Sequence, residues 1–375
     1  MITIAFIGLA ILLFKQFFAL SALRAPCVVN QSNLGDVTVI QPILSGDPAL
    51  ESVLASNLEN LCETKFLWLI DDDDIQAARV TQRLQQRYPQ SDIRVCSYPQ
   101  APEGVNPKLF KLEQGRMLID TQTVLVLDDD ASLSTASLQT MLGKLGDNVL
   151  VTALPWYRAA ENTPSRLLAQ FVNDNSALTY LPLLPFAKPL TLNGMCYALR
   201  MSLLERIGGL APIMYHLTDD LALATLLTQK GVEIVQSVAP VSVQTSVPDA
   251  ERYFRQMHRW FLFATLLMRE KSVRANMAIF ILQGLHPLLL WGMFILACGG
   301  GAADVGILAT VLFIRHFILR RVQRAVSAEI PSRPVFSVLS ELLQPLHLLN
   351  ALLNRTIHWR SRRYRIFSNN RFTSL

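Results

Sequence analysis

The chain has 375 residues, 51% of them hydrophobic and only 17% charged, below the roughly 25% charged residues of ordinary soluble domains. With a mean hydropathy of +0.30, this describes a membrane protein carrying a soluble part, with length for one large domain plus appendages. The formal net charge is only +5, and the five cysteines (Cys27, Cys62, Cys96, Cys196, Cys298) form no C-x-x-C pair, which argues against a zinc site or a disulfide framework and fits a reducing compartment.

Residues 2–23 are apolar except around Lys15 and Gln16, long enough to span a bilayer. A cleaved signal peptide needs a positive start and a small-residue cleavage site, and neither is present. The reading is an uncleaved anchor over 1–24, with Arg24 marking its cytosolic end. From 35 the texture becomes that of a soluble α/β domain reaching 272. Strands are expected over 37–40, 65–70, 92–96, 123–127 and 148–153. Helices are expected from Asp47, acting as a cap, to 61, then over 75–88, 107–118 and 134–145. Alternation at this spacing implies a mostly parallel sheet.

Residues 178–190 are apolar but broken by Pro182, Pro185 and Pro189, and read equally as an interfacial segment or a buried loop. A strand is expected over 191–195, with Gly194 where backbone approaches a ligand. A helix opens at Thr218-Asp219-Asp220, strands follow over 232–238 and 241–244, and a long helix runs over 249–270. A membrane hairpin is expected over 275–322, returning the chain to its starting side at Arg320-Arg321. Residues 334–353 are apolar but carry Glu341, Gln344, Pro345 and His347. If they crossed, the basic tail over 354–375, with six arginines after Asn354 and no acid, would lie outside, against the charge rule. They are therefore read as an interfacial or re-entrant helix, and the tail as a membrane-surface or polyanion signature.

Three acidic clusters stand out. Asp71, Asp72, Asp73 and Asp74 end one strand, Asp128, Asp129 and Asp130 end another, and Asp219 with Asp220 opens a helix. Crowded carboxylates at buried strand ends repel one another unless a cation sits among them, and a divalent ion held by hard oxygens is the simplest one. The Asp128 triplet alone is equally compatible with a solvated turn, and Asp219-Asp220 with dipole capping. In an extended chain Asp128 and Asp130 point to one side and Asp129 to the other, which makes Asp129 the dispensable member. The fourth element is Gln256-Met257-His258-Arg259-Trp260. Its i, i+3, i+4 spacing puts Gln256, Arg259 and Trp260 on one helix face, where Arg offers a fork that suits phosphate oxygens. An interfacial Arg-Trp belt is the commoner meaning of such a pair.

This ordered set resembles the processive and lipid-acting branch of the family 2-type glycosyltransferases, and looks closest to ceramide glucosyltransferases and their bacterial relatives associated with hopanoid biosynthesis. Supporting stretches are Gln41-Pro42-Ile43 with Asp47-Pro48, Gly104-Val105-Asn106-Pro107-Lys108, Asn193-Gly194-Met195, and Trp359-Arg360-Ser361-Arg362-Arg363-Tyr364. Two departures stand out: ceramide-acting members often have a less acidic second motif, and Ser361 replaces a frequent glycine.

The resemblance implies the nucleotide-diphospho-sugar transferase fold, a mostly parallel mixed sheet flanked by helices, plus transmembrane helices. It implies an inverting transfer of a glucose-like sugar from a UDP-sugar to a lipid hydroxyl, such as that of ceramide. Asp128 and Asp130 would hold Mg2+ or Mn2+ against the diphosphate, which Arg259 grips while Gln256 and Trp260 help wall the site. One or more of Asp71, Asp73 and Asp74 would bind the nucleoside, most simply Asp73 or Asp74. Lys108 and Asp219 are further donor contacts, and Asp220 would be the general base. The partners are the UDP-sugar, the lipid acceptor and the bilayer, with no nucleic acid. The protein is expected to be multi-pass with a cytosolic catalytic domain, in the inner membrane if bacterial. A polysaccharide synthase would need a transmembrane channel, which about three spans do not supply. A metal-dependent phosphotransferase leaves the Gln256 to Trp260 motif unexplained. A membrane receptor with a lipid-binding tail leaves the loaded strand ends unexplained.

Overall fold

The structure is a computed structural model that describes residues 1–26, 33–359, 362–369 and 371–374; Cys27, Arg360 and Ser361 lie outside them. The first helix, α1 (Ile2–Arg24), precedes a sheet domain. That domain runs β1 (Val37–Pro42), α2 (Leu50–Asn60), β2 (Lys65–Asp71), α3 (Ile75–Arg87), β3 (Ile93–Tyr98), α4 (Pro107–Arg116), β4 (Thr123–Leu127), β5 (Ala131–Leu133), α5 (Thr135–Leu142), β6 (Val149–Ala159), α6 (Thr163–Tyr180), β7 (Cys196–Arg200), α7 (Met201–Arg206), α8 (Asp219–Gln229), β8 (Glu233–Thr245) and α9 (Ala250–Glu270). Eight strands form one sheet in the order β3-β2-β1-β4-β7-β6-β8-β5. Strands β3, β2, β1 and β4 are mutually parallel, β7 runs against β4 and β6, β6 and β8 are parallel, and β5 runs against β8.

Every residue of β1 and β4 is buried, as expected of central strands covered on both faces. Their period-2 alternation divides the side chains between two layers. Val39, Trp68 and Leu125 meet α2, α3 and α5 through Leu54, Leu84 and Met141. Ile40, Leu69 and Val126 meet α4, α7 and α8 through Leu112, Leu203 and Leu227. Helix α4 lies close on the sheet because Gly115 faces it: a Cβ there would stand 2.8 Å from the Leu69 methyls.

The expected strand over 191–195 is not formed; β7 begins at Cys196. The strands expected over 232–238 and 241–244 are one strand, because the β6–β8 register shifts between Thr152 and Leu154 and passes Pro240 there. Asp47 does not cap α2. Its Oδ1 accepts from the Ala49 amide at 2.8 Å, an Asx turn just ahead of a helix that starts at Leu50. Helix α6, which no apolar periodicity announced, buries Gln170, Asn173, Asp174 and Ser176; polar groups at core positions hide the pattern. It is instead marked at its start by Asn162, whose side chain accepts from the Ser165 amide, and Pro164 in its first turn.

After α9 come α10 (Val273–Ile279), a π-helical turn (Phe280–Gly284), α11 (Leu285–Gly299), α12 (Ala302–Val326) and α13 (Pro334–Leu353). Four helices are long and apolar enough to cross a membrane: Ile2–Arg24, the continuous Val273–Gly299, Ala302–Val326 and Pro334–Leu353. Helix α13 packs against α6 and α9 of the sheet domain as well as against α11. The tail forms a second antiparallel sheet of β9 (Thr356–Trp359), β10 (Arg362–Ser368) and β11 (Arg371–Ser374).

A buried polar network joins the apolar helices to α6. Arg315 of α12 donates through Nε to Glu341 Oε2 of α13 at 2.6 Å and through Nη1 to Ser337 Oγ at 2.8 Å. Ser337 Oγ donates to Asp174 Oδ2 at 2.6 Å, whose Oδ1 accepts from Gln170 and Gln323 at 2.7 and 2.6 Å. His286 closes on Glu341, so each buried charge has partners.

Candidate active site

Strands β2 and β4 flank β1 and end at the same edge of the sheet, bringing the first two acidic clusters together. Asp71 is buried at the end of β2, with Lys111 Nζ of α4 at 3.3 Å. Asp74 caps α3: its Oδ1 accepts from the Ala77 amide at 2.9 Å and its Oδ2 from the Ser45 amide at 2.8 Å. Burial works against its charge, but the hydrogen bonds from Ser45 and Ala77 outweigh it and hold the carboxyl below its usual range. Asp73 is exposed and accepts from Gln100 at 2.5 Å.

Lys108 is the centre of the site. Asn106 Oδ1 accepts from the Lys108 and Leu109 amides, Pro107 opens α4, and the Lys108 side chain reaches across the sheet edge. Its Nζ lies 2.7 Å from Asp128 Oδ1 and 3.0 Å from Asp219 Oδ2, and donates to the Gly194 carbonyl at 2.8 Å. Burial alone would lower its proton affinity, yet Asp128 and Asp219 raise it well above the lysine range, so the amine is charged. Glycine at 194 leaves room for this approach: a Cβ there would crowd Asp219 Oδ2 at 3.2 Å and Asp220 Cβ at 3.3 Å.

The triplet after β4 is not extended as expected but turns: Asp129 and Asp130 lie in a turn closed by the Ala131 amide on the Asp128 carbonyl at 3.1 Å, and it is this turn that separates the side chains. Asp128 turns to Lys108, whereas Asp129 Oδ2 accepts from the Leu44 amide at 2.7 Å on the other side. Burial raises Asp128 despite Lys108. Burial and the neighbouring Asp128 push Asp129 up to about 7. Asp130 rises well above the carboxylate range from burial and then from Asp128 and Asp129. Asp220, in the first turn of α8, is pushed up to about 7 by burial and by Asp219.

Arg259 and Gln256 share one face of α9, with Arg259 Nη2 donating to Gln256 Oε1 at 2.8 Å. Arg259 Nε is buried without a hydrogen-bond partner among the described residues. Burial lowers the proton affinity of Arg259, while Tyr157, Asp219 and Asp130 raise it. Trp260 packs edge-on against Tyr157 at 6.1 Å between ring centroids and lies 6.2 Å from the Phe171 ring. Arg259, Lys108, Asp128, Asp130, Asp219 and Asp220 thus share one electrostatic neighbourhood, with Asp71, Asp73 and Asp74 on the far side of β1.

The sequence profile of glycosyl transferase family 21 matches residues 1–372. The chain belongs to that family. Among solved structures, the mannosyltransferase PcManGT from Pyrobaculum calidifontis, in complex with GDP-Man and Mn2+, is similar in fold with a TM-score of 0.52 at 16% identity, over 93% of this chain and 98% of that one. S. aureus TarS in complex with UDP-GlcNAc has a TM-score of 0.39 at 11% identity, over 88% of this chain and 97% of that one.

In this glycosyltransferase no group of three or more Asp, Glu, His or Cys is gathered in metal-ligating geometry among the described residues. The residues nevertheless fit a divalent ion. Magnesium-like ions are bound by one or two carboxylates plus substrate phosphates and water. Asp128 and Asp130 are neighbouring buried carboxylates, raised first by burial and, for Asp130, then by Asp128 and Asp129, and they offer the hard oxygen donors such an ion takes. The unpartnered Arg259 donor adds a fork suited to anionic oxygen.

Three tyrosines were not foreseen. Tyr157 is buried and its phenol is raised by burial and by Asp130. Tyr180, at the end of α6, is raised by burial and by Asp220. Tyr197 on β7 is raised by burial and also feels Lys108, Asp219 and Asp128. Each stands in an apolar run with no local motif, so only the fold brings it to the carboxylates.

Proposed function

We propose that this glycosyltransferase moves a sugar from a UDP-sugar to the hydroxyl of a membrane lipid such as ceramide, with inversion, on the cytosolic side of the membrane. The observation that carries it is Lys108 held between Asp128 and Asp219, with Arg259, whose Nε is unpartnered among the described residues, in the field of Asp219 and Asp130: a cationic pair suited to a charged diphosphate, beside a carboxylate base. Four helices are apolar enough to cross a membrane, three of them, α1, α12 and α13, packed on α6, which supports a lipid acceptor, and Arg24 with Arg320-Arg321 supports the cytosolic side.

Asp73 is the nucleoside contact: it is exposed, and its side-chain partner is the exposed Gln100, whereas both oxygens of Asp74 are fixed by backbone amides and Asp71 is buried against Lys111. Arg259, oriented by Gln256 and backed by Trp260, grips the diphosphate; Lys108 lends charge and Asp219 holds Lys108. Asp128 and Asp130 would hold the divalent ion, which would supply Lewis-acid neutralisation of the leaving diphosphate. Asp220 removes the proton from the acceptor hydroxyl. The oxygen bonds to the anomeric carbon on the face opposite the diphosphate, the carbon–oxygen bond to the diphosphate breaks, and UDP departs with the electron pair. A carboxyl with proton affinity near 7 is matched to that task at neutral pH.

A thermal-shift screen of UDP-sugars with Mn2+ or Mg2+ tests the donor half. At least one UDP-sugar is expected to stabilise the protein only with the ion present; no stabilisation by any of them would refute the reading. Mass spectrometry of membrane lipids with and without the gene then identifies the acceptor, whose glycosylated form disappears in the deletion.

A further inference from the structure

The C-terminal hairpin lies against both halves of the site. Thr218 stands at the N-cap of α8, where a threonine hydroxyl ordinarily accepts from an amide of the first turn. Here it makes no such bond. Its Oγ1 donates instead to Asn369 Oδ1 at 2.7 Å, its amide donates to the same oxygen at 2.9 Å, and the Leu217 amide donates to the Asn369 carbonyl at 3.0 Å. Asn369 is only 5% exposed, so water does not compete for these bonds.

The same loop is gripped from its other side. Asn106 Nδ2 donates to the His216 carbonyl at 3.2 Å, and Asn106 opens the helix that carries Lys108. The hairpin also reaches α9. Ile357 and Ile366 pack with Leu217, Leu221, Leu262 and Leu266. His258, inside the Gln256 to Trp260 motif, meets the Thr356 carbonyl through Nε2 at 3.2 Å, and Arg269 Nη1 donates to the Phe367 carbonyl at 3.3 Å.

The geometry points to Asn369 as a positioning residue: through Thr218 the C-terminal hairpin holds the first turn of α8, with Asp219 and Asp220, in register with the helix that carries Arg259. The tail is thus part of the catalytic assembly as well as a basic appendage. The consequence for turnover rests on Asp220 being the base; the clamp itself does not.

The test uses the full chain in nanodiscs, with UDP-glucose and ceramide-containing phosphatidylcholine vesicles. Asn369→Leu removes the acceptor oxygen and Asn369→Asp keeps one. Misplacing a catalytic group by about 1 Å costs on the order of 10²-fold, so Asn369→Leu is expected to lose turnover on that scale in kcat while KM for UDP-glucose stays unchanged, and Asn369→Asp to recover most of it. Amide exchange over 217–222 should accelerate in Asn369→Leu and return in Asn369→Asp. Wild-type kcat per folded molecule in Asn369→Leu, or unaltered exchange, would overturn the clamp. If the wild type turns over no UDP-glucose, the donor or acceptor assignment is at fault and the exchange comparison alone decides the clamp. Should Asn369→Leu not fold, Thr218→Val, which removes only the hydroxyl link, is read by the same outcomes.

Discussion

Lys108 pins two carboxylates that are distant in sequence within the sheet domain, Asp128 after β4 and Asp219 at the start of α8. Arg259 approaches the same ground with a donor to spare. An arginine at such a place grips oxygen with a planar fork that lysine lacks. Arg259→Lys is therefore expected to weaken UDP binding by about 1.5–3 kcal/mol, the worth of a hydrogen bond to a charged group, as read by calorimetric titration. Asp128→Ala should abolish the metal dependence of that binding; full metal-dependent binding in this variant would remove Asp128 from the ion site. Asp220 must be ionised to accept a proton. Because burial and Asp219 raise it to about 7, turnover should fall by about tenfold per pH unit below that value and level off above it, in a rate profile taken at saturating donor. The acidic clusters were readable in the sequence because a buried strand ending in carboxylates is a conflict that needs resolving. The division of labour inside them was not. That Asp74 is consumed by the Ser45 and Ala77 amides, and that Asp129 carries the Leu44 amide, depends on loops folded from elsewhere. Asp129 accordingly has a structural task, and Asp129→Asn, which keeps an acceptor oxygen, should be milder than Asp129→Leu in a melting experiment.

At the scale of elements, α6 connects the membrane side to the site. Asp174 sits in the Arg315 network, Asn173 bonds both the amide and carbonyl of Tyr157 at 2.7 and 2.9 Å, Phe171 lies beside Trp260, and Tyr180 lies near Asp220. Periodicity did not reveal this helix because its buried face mixes polar residues with apolar ones. Breaking a buried ion pair by removing one partner strands the other charge, at about 3–5 kcal/mol. Arg315→Leu is expected to lower the melting temperature in detergent accordingly, while Arg315→Leu combined with Glu341→Gln should recover part of the loss. The strands were easier to read than the helices' partners: β2 and β4 are nearly continuous apolar runs, and β1 is an apolar stretch interrupted by Thr38 and Gln41. What escaped were β5, β7 itself with its antiparallel place between β4 and β6, the continuity of β8, and the tail strands β9, β10 and β11, since short edge strands and the order of strands in a sheet are tertiary properties.

For the whole molecule, the sheet places its chemistry at one edge and the apolar helices pack beside it, so a donor from water and an acceptor from a bilayer reach a common point in the proposed reaction. Helix α13, with its charged and polar residues turned to α6, α9 and α11, is proposed to lie at the interface between domain and bilayer, which keeps the arginine-rich tail on the same side as the site. The measurement that bears most directly on the proposed chemistry is transfer of labelled sugar from the donor found in the screen into vesicle lipid by Asp220→Asn. Loss of the base should cut turnover by about 10²–10⁴-fold and leave metal-dependent UDP binding intact; turnover at the wild-type rate would contradict the assignment of Asp220 and with it the proposed mechanism.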